Sequence, residues 1–333
     1  MRGLRALFTW LAVAMTATSV ARAEPLLIRN SYVVPVSNWE PFIVAKKDLA
    51  KHWGTSYLME AVRYQGTPQM ITAMANGELE IANLAYSTLG IAIENAGISD
   101  LRVICDEFRD GVPGYFSNQF FVRKDSGIKA IEDLKGKVLA TNLIGAGVDI
   151  AMKAGLKKHG LIDKRDYTVI ETPFPTMPSM LNEKKADLVT AVMPFAVNPL
   201  LNEIGFPLYD QTEGMGQTQF VFWTARQSFI DKHHAVLVDY MEDMLRIERW
   251  YLDPKNHDEV AKIASDLVKI PPERFGWLFT KKDYYRDPDM MPDLAALQRN
   301  VDTTAEMGFI KSRVDVKQHS DLSLIEEAAN RLR

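Results

Sequence analysis

Six histidines, one cysteine and the serines are the groups with which this 333-residue chain could do nucleophilic, acid–base or metal chemistry, and none falls into a working constellation. His52, His159, His233, His234, His257 and His319 are scattered, without the His-Glu-x-x-His spacing that places two imidazoles on one helical face over a zinc ion. No serine sits in a Gly-x-Ser-x-Gly turn. The lone Cys105 lies in the mainly apolar stretch Leu101–Cys105, where a buried small hydrophobe is expected rather than a reactive thiol, and it can form no intramolecular disulfide. The acidic residues fall mostly on charged faces of amphipathic helices. The expectation is a protein without catalytic residues, metal or cofactor.

The chain does carry loops suited to holding a ligand. Ser31 to Trp39 contains Tyr32 and Trp39, which offer flat apolar faces with hydrogen-bonding tips, although packing of a long loop explains them equally. Asn83-Leu84-Ala85-Tyr86-Ser87-Thr88 places Leu84, Tyr86 and Ser87 ahead of a helix whose free N–H groups would receive an anionic oxygen; helix capping is the simpler reading of Ser87 and Thr88. Thr141 to Asp149 includes Asn142, Gly145, Ala146 and Gly147, small enough for close backbone approach at a helix start. It lacks the Lys-Ser or Lys-Thr of a nucleotide loop and the third glycine of a dinucleotide loop. Asp149 would repel an anion there unless it faces away or caps the helix. Gln65, Met193, Phe195 and Gln219 complete the candidate set, each with an ordinary alternative: core packing for Met193 and Phe195, satisfaction of strand edges for the glutamines.

The elements that must position these loops alternate. Leu26–Asn30 reads as a strand, Pro41 opens a helix with Phe42, Ala45, Leu49 and Trp53 on one face, and Tyr57–Tyr64 is the next strand. Gly66-Thr67 leads a helix ended by Asn76-Gly77, before a strand at Glu80-Ile81-Ala82. A second series follows, with strands at Lys137–Ala140, Tyr167–Glu171 and Leu188–Val192 and a helix from Gly147 to His159-Gly160. The apolar strands Gln119–Lys124 and Gln219–Thr224 read as the two crossings between the series, and everything after them reads as helical. The expected fold class is α/β: two lobes, each a small doubly wound, mainly parallel sheet, with a helical C-terminal region. The expected division is a signal peptide at 1–23, a first lobe at 24–120, a second at 121–220, and return to the first with C-terminal helices at 221–333.

Arg2 and Arg5, the apolar run Ala6 to Met15 and Ala21-Arg22-Ala23 before Glu24 have the pattern of a cleaved export signal, the run being shorter than the ~20 residues that cross a bilayer. A periplasmic protein without intrinsic membrane insertion is expected. The formal net charge of −4, more negative once Arg2, Arg5 and Arg22 are removed, argues against a nucleic-acid partner. The remaining roughly 310 residues are enough for two ordinary domains.

The stretches Tyr64-Gln65-Gly66-Thr67-Pro68-Gln69 and Ala73 to Ala82, then Ile131-Glu132-Asp133-Leu134-Lys135-Gly136-Lys137-Val138-Leu139-Ala140, then Glu183-Lys184-Lys185-Ala186-Asp187-Leu188-Val189, resemble the binding proteins for sulfonates, nitrate and taurine, type II periplasmic receptors of ATP-driven importers. The resemblance spans nearly the whole exported chain. It implies two lobes joined by two crossover strands, a ligand cleft that the Tyr86 loop faces, a membrane permease as partner and a monomeric receptor that performs no chemistry. A related enzyme class, the thiamin-pyrimidine synthases, is marked by a cysteine cluster absent here. The expected ligand is a small organic anion, a sulfonate or an aromatic or aliphatic carboxylate. The alternatives are a neutral heterocycle such as a thiamin-related pyrimidine, or a periplasmic sensor using the same cleft.

Overall fold

The computed structural model describes residues 24–333; the proposed export signal lies outside the described residues. Among the described residues ten strands form two five-stranded sheets. The first contains β1 (Leu26–Tyr32), β2 (Tyr57–Arg63), β3 (Ile81–Ala85), β4 (Leu101–Asp110) and β10 (Thr218–Arg226) in the order β2-β1-β3-β10-β4. The second contains β5 (Gln119–Arg123), β6 (Val138–Thr141), β7 (Thr168–Glu171), β8 (Leu188–Ala191) and β9 (Gly205–Asp210) in the order β7-β6-β8-β5-β9. β1 is parallel to β2 and β3, and β6 is parallel to β7 and β8. Each sheet then takes one strand in reverse, β10 between β3 and β4 and β5 between β8 and β9.

These reversed strands are the two apolar stretches expected to mark the crossings. Both are nearly continuously buried, as strands covered on both faces are. The passages between the sheets come immediately before them, at residues 111–118 and 211–217, and lie side by side. Asn118 N–H donates to Asp110 Oδ2 at 2.8 Å, Gln211 N–H donates to the Asn118 carbonyl at 2.8 Å, and Gln211 Nε2 donates to Thr218 Oγ1 at 2.9 Å. Gly111 has a φ of +73°, and a Cβ there would stand 2.7 Å from Thr212 Cγ2, so glycine lets the two passages touch.

The helices that matter for the cleft follow strand ends: α1 (Glu40–Ala45), α2 (Thr67–Ala75), α3 (Tyr86–Glu94) and α4 (Gly147–Lys158). Pro41 and Pro68 sit in the first turns of α1 and α2, where a missing N–H costs nothing. β3 runs on through Asn83, Leu84 and Ala85, part of the stretch read as loop, because pairing with β10 extends it. Beyond β10 the long helix Gln227–Leu252 packs on the first sheet, but residues 276–293 are irregular rather than helical and return to the cleft. Phe120, Leu139, Met152, Leu156 and Leu188 form a separate core for the second lobe.

Candidate functional site

The carboxyl ends of β1, β2, β3, β6 and β8 face one another across the cleft and enclose a chamber with about 490 Å³ of space between atoms, part of it open to solvent. Its wall is mainly apolar: Val33, Val34, Ala85, Phe108, Phe220 and Val221 from the first lobe, Ala146, Gly147, Val148, Phe174, Val192 and Met193 from the second. No lysine, arginine, histidine or carboxylate lines it among the described residues. The polar contribution comes from Ser37, Asn38, Thr67, Asn83, Asn142 and Tyr284.

Two helices begin at this chamber, one from each lobe. α2 starts at Thr67 after Gly66, α4 starts at Gly147 after Ala146, and neither has a side-chain cap. The first N–H groups of a helix lack the usual partner and carry the positive end of its dipole; in α2 Pro68 has no N–H and the Gln69 N–H donates to the Gly66 carbonyl at 3.2 Å, so α2 offers the Thr67 N–H and α4 its first-turn N–H groups to negative charge, without a cationic side chain. Thr67 Oγ1, Asn83 Oδ1 and Asn142 Oδ1 are buried on the same wall with no hydrogen-bond partner, and a ligand can satisfy them. Asp149, in the first turn of α4, is turned away: its Oδ2 accepts from Gly145 N–H at 2.9 Å and from Lys153 Nζ at 2.9 Å. Lys153 pairs with it and, at 3.2 Å, with Asp163.

Behind the wall lies an acidic network. Asn83 Nδ2 donates to Glu40 Oε1 at 2.8 Å and also to Glu107 Oε2, and Asn38 Nδ2 donates to Glu107 Oε1 at 2.8 Å. Burial, reinforced by the Glu107 charge, holds the Glu40 carboxyl well above the usual range, and burial pushes Glu107 up to about 7. Arg286 supplies the nearby positive charge; it donates to the Ser37 carbonyl at 2.6 Å and lies 5.2 Å from the Phe108 ring centroid.

The lobes are clasped around the chamber by side chains of one and backbone of the other. Tyr86 OH donates to the Gly147 carbonyl at 2.7 Å, Ser87 Oγ to the Gly145 carbonyl at 3.0 Å, and Ser37 Oγ to the Met193 carbonyl. Gln65 Nε2 donates to the Asn142 carbonyl at 3.0 Å while Asn142 Nδ2 donates to the Gln65 carbonyl at 3.1 Å. Gly147 is required by closeness: a Cβ would stand 2.7 Å from the Phe220 ring and 3.2 Å from Ala85 Cβ.

Residues 28–265 match the sequence profile of the NMT1-like family. The chain belongs to the NMT1-like family. No curated protein sequence matches it significantly. Among solved structures it is similar to the periplasmic aliphatic sulphonate binding protein SsuA from Escherichia coli, at 18% identity over 91% of this chain and 99% of that one, with a TM-score of 0.67. It is similar also to the periplasmic nitrate-binding protein NrtA from Synechocystis, at 12% identity over 93% and 90%, TM-score 0.71. The desulfurization enzyme DSZB shares the fold as well, at 13% identity over 92% and 100%, TM-score 0.67. At these identities the likeness establishes the two-lobed fold.

In this NMT1-like protein, Asn142, Ala146, Gly147 and Met193 of the candidate residues line the chamber. Gln65 and Phe195 line an outer recess that shares Val33, Val34 and Phe174 with it. Tyr86, Ser87 and Gly145 form the clasp rather than the wall. Four residues go elsewhere. Trp39 is buried and stacked on Trp223 with centroids 5.7 Å apart and planes 11° apart. Leu84 packs in the first-lobe core, and Tyr32, half-buried at the end of β1, lines neither space. Gln219 donates to Asp106 and accepts from Asp293 N–H at 2.8 Å, tying β10 to the C-terminal region. Sequence reasoning missed Thr67, Phe108, Phe220 and Tyr284 on the wall; only Thr67, a hydroxyl at a helix start after glycine, had a local signal. Cys105 is buried in β4 away from the chamber.

Proposed function

We propose that this protein is the exported substrate-binding component of an ATP-driven importer, which captures a small organic anion, a sulfonate or an aromatic or aliphatic carboxylate, and presents it to a membrane permease. The observation that carries the reading is the meeting of two uncapped helix starts, α2 from one lobe and α4 from the other, on one apolar chamber. The anionic group accepts from the first-turn N–H groups and Thr67, and the apolar body lies against Phe108, Phe220 and Val221. Each lobe supplies half of the site, so ligand favours the closed arrangement in which both halves are in contact.

A second reading, a neutral heterocycle bearing N–H donors such as an amino-pyrimidine, is favoured by the two unpartnered amide oxygens of Asn83 and Asn142. A thermal-shift screen with alkanesulfonates, benzenesulfonate, benzoate, aliphatic carboxylates, nitrate and aminopyrimidines separates the two. A ligand present at ~100 times its Kd adds about 2.7 kcal/mol of stability. Stabilisation by the acids supports the proposal, and stabilisation by the pyrimidines alone replaces it with the second reading.

A further inference from the structure

We infer that the mouth of the chamber holds a second subsite, built on Arg63, which takes an acidic group at the far end of a two-ended ligand. The inference rests on the anion-binding reading of the inner chamber and names the class of anion: an acid, an apolar body and a second acid.

The outer recess contains about 650 Å³ of space, part of it open to solvent, and adjoins the chamber at three residues that line both, Val33, Val34 and Phe174. The two spaces differ in charge. The chamber wall has no charged side chain, whereas the recess has one, Arg63, the last residue of β2. Arg63 stands opposite Tyr32 in the β1–β2 register, and its Nε makes a 3.4 Å bond to the Val33 carbonyl. No carboxylate pairs with it among the described residues, so its forked N–H groups are available to a ligand carboxylate or sulfonate. Buried Arg286, by contrast, is engaged by the Ser37 carbonyl and Asp283.

The opposite side of the recess comes from the second lobe. Phe174 and Phe195 are stacked with centroids 6.0 Å apart and planes 17° apart, and Pro173 and Pro175, whose rings fix the backbone φ, flank Phe174. An apolar linker leaving the chamber would run along these rings. From Arg63 the chain proceeds through Gln65 and Gly66 to Thr67, so the guanidinium stands four residues before the α2 start that receives the inner acid. A ligand with acids at both ends satisfies both positions.

The test is calorimetric titration of the full exported chain with matched acids, benzoate against terephthalate and pentanoate against adipate, for the wild type and Arg63→Gln. Arg63 is exposed, so the substitution leaves the core untouched. The expected result is a diacid that binds up to about fivefold more tightly than its monoacid, the scale of an exposed ion pair. Arg63→Gln removes that gain and leaves monoacid affinity unchanged. Diacids that bind no tighter than monoacids, a gain that survives Arg63→Gln, or equal weakening of both acids by the substitution overturns the subsite while leaving the chamber's reading intact. Failure of every acid to bind overturns the chamber's reading and the subsite with it.

Discussion

Tyr86 of the first lobe and Gly147 of the second share a buried hydrogen bond, phenol to carbonyl at 2.7 Å, at the point where α4 begins. In an open cleft water would serve both groups, so the bond's loss is felt only on closure. Tyr86→Phe is expected to leave thermal stability nearly unchanged and to weaken ligand about fivefold, the cost of roughly 1 kcal/mol for a buried carbonyl left without its donor. Parallel melting curves and ligand titrations check both halves.

Trp39 behaves differently because it is a core residue. Trp39→Ala removes its stack on Trp223 of β10 and leaves a cavity in the first-lobe core, and is expected to cost about 3–5 kcal/mol of stability, read by urea unfolding. An unchanged midpoint combined with weakened binding would instead place Trp39 in the site.

Gly147→Ala tests closure sterically. The added methyl meets the Phe220 ring at 2.7 Å and Ala85 at 3.2 Å only when the lobes are together. The variant is expected to stay folded, to lose ligand binding at least tenfold, and to keep the larger radius of gyration of the open form in solution scattering when ligand is added.

The buried carboxyls give stability a pH slope. Glu107, Asp106 and Asp110 are each pushed up to about 7 by burial, from unfolded values of 4.5, 3.8 and 3.8. Between those values the folded state holds protons the unfolded chain has released, so the contribution of these three groups is full below about pH 4 and is lost as pH rises through about 7. Melting temperature is expected to be higher at pH 5.5 than at pH 8, and Glu107→Gln is expected to flatten part of that slope.

The alternation of strands and helices was legible because each element carries its own period, and α2 and α4 start at Thr67 and Gly147, within the stretches where Gly66-Thr67 and Gly145-Ala146-Gly147 announce them. The wall was less legible because most of it is non-local. Whether Trp39 points into the cleft depends on Trp223, far along the chain. Tyr284 reaches the chamber from a segment read as helical, and is held there by its bond to Asn118 Oδ1 at 2.6 Å. Tyr86 was singled out for a cleft role and lies at the cleft, yet its partner is a carbonyl of the other lobe, which no local pattern encodes.

Two helix starts, without a cationic side chain, are proposed to hold an anion in an apolar chamber. Calorimetric titration with isosteric pairs, benzoate against benzamide and benzenesulfonate against benzenesulfonamide, tests it most directly, because each pair differs in charge and hardly in shape. At least one acid is expected to bind, and to bind about tenfold or more tightly than its amide, as two dipole contributions near 1 kcal/mol each would give. An amide that binds as well as its acid, or better, would contradict it.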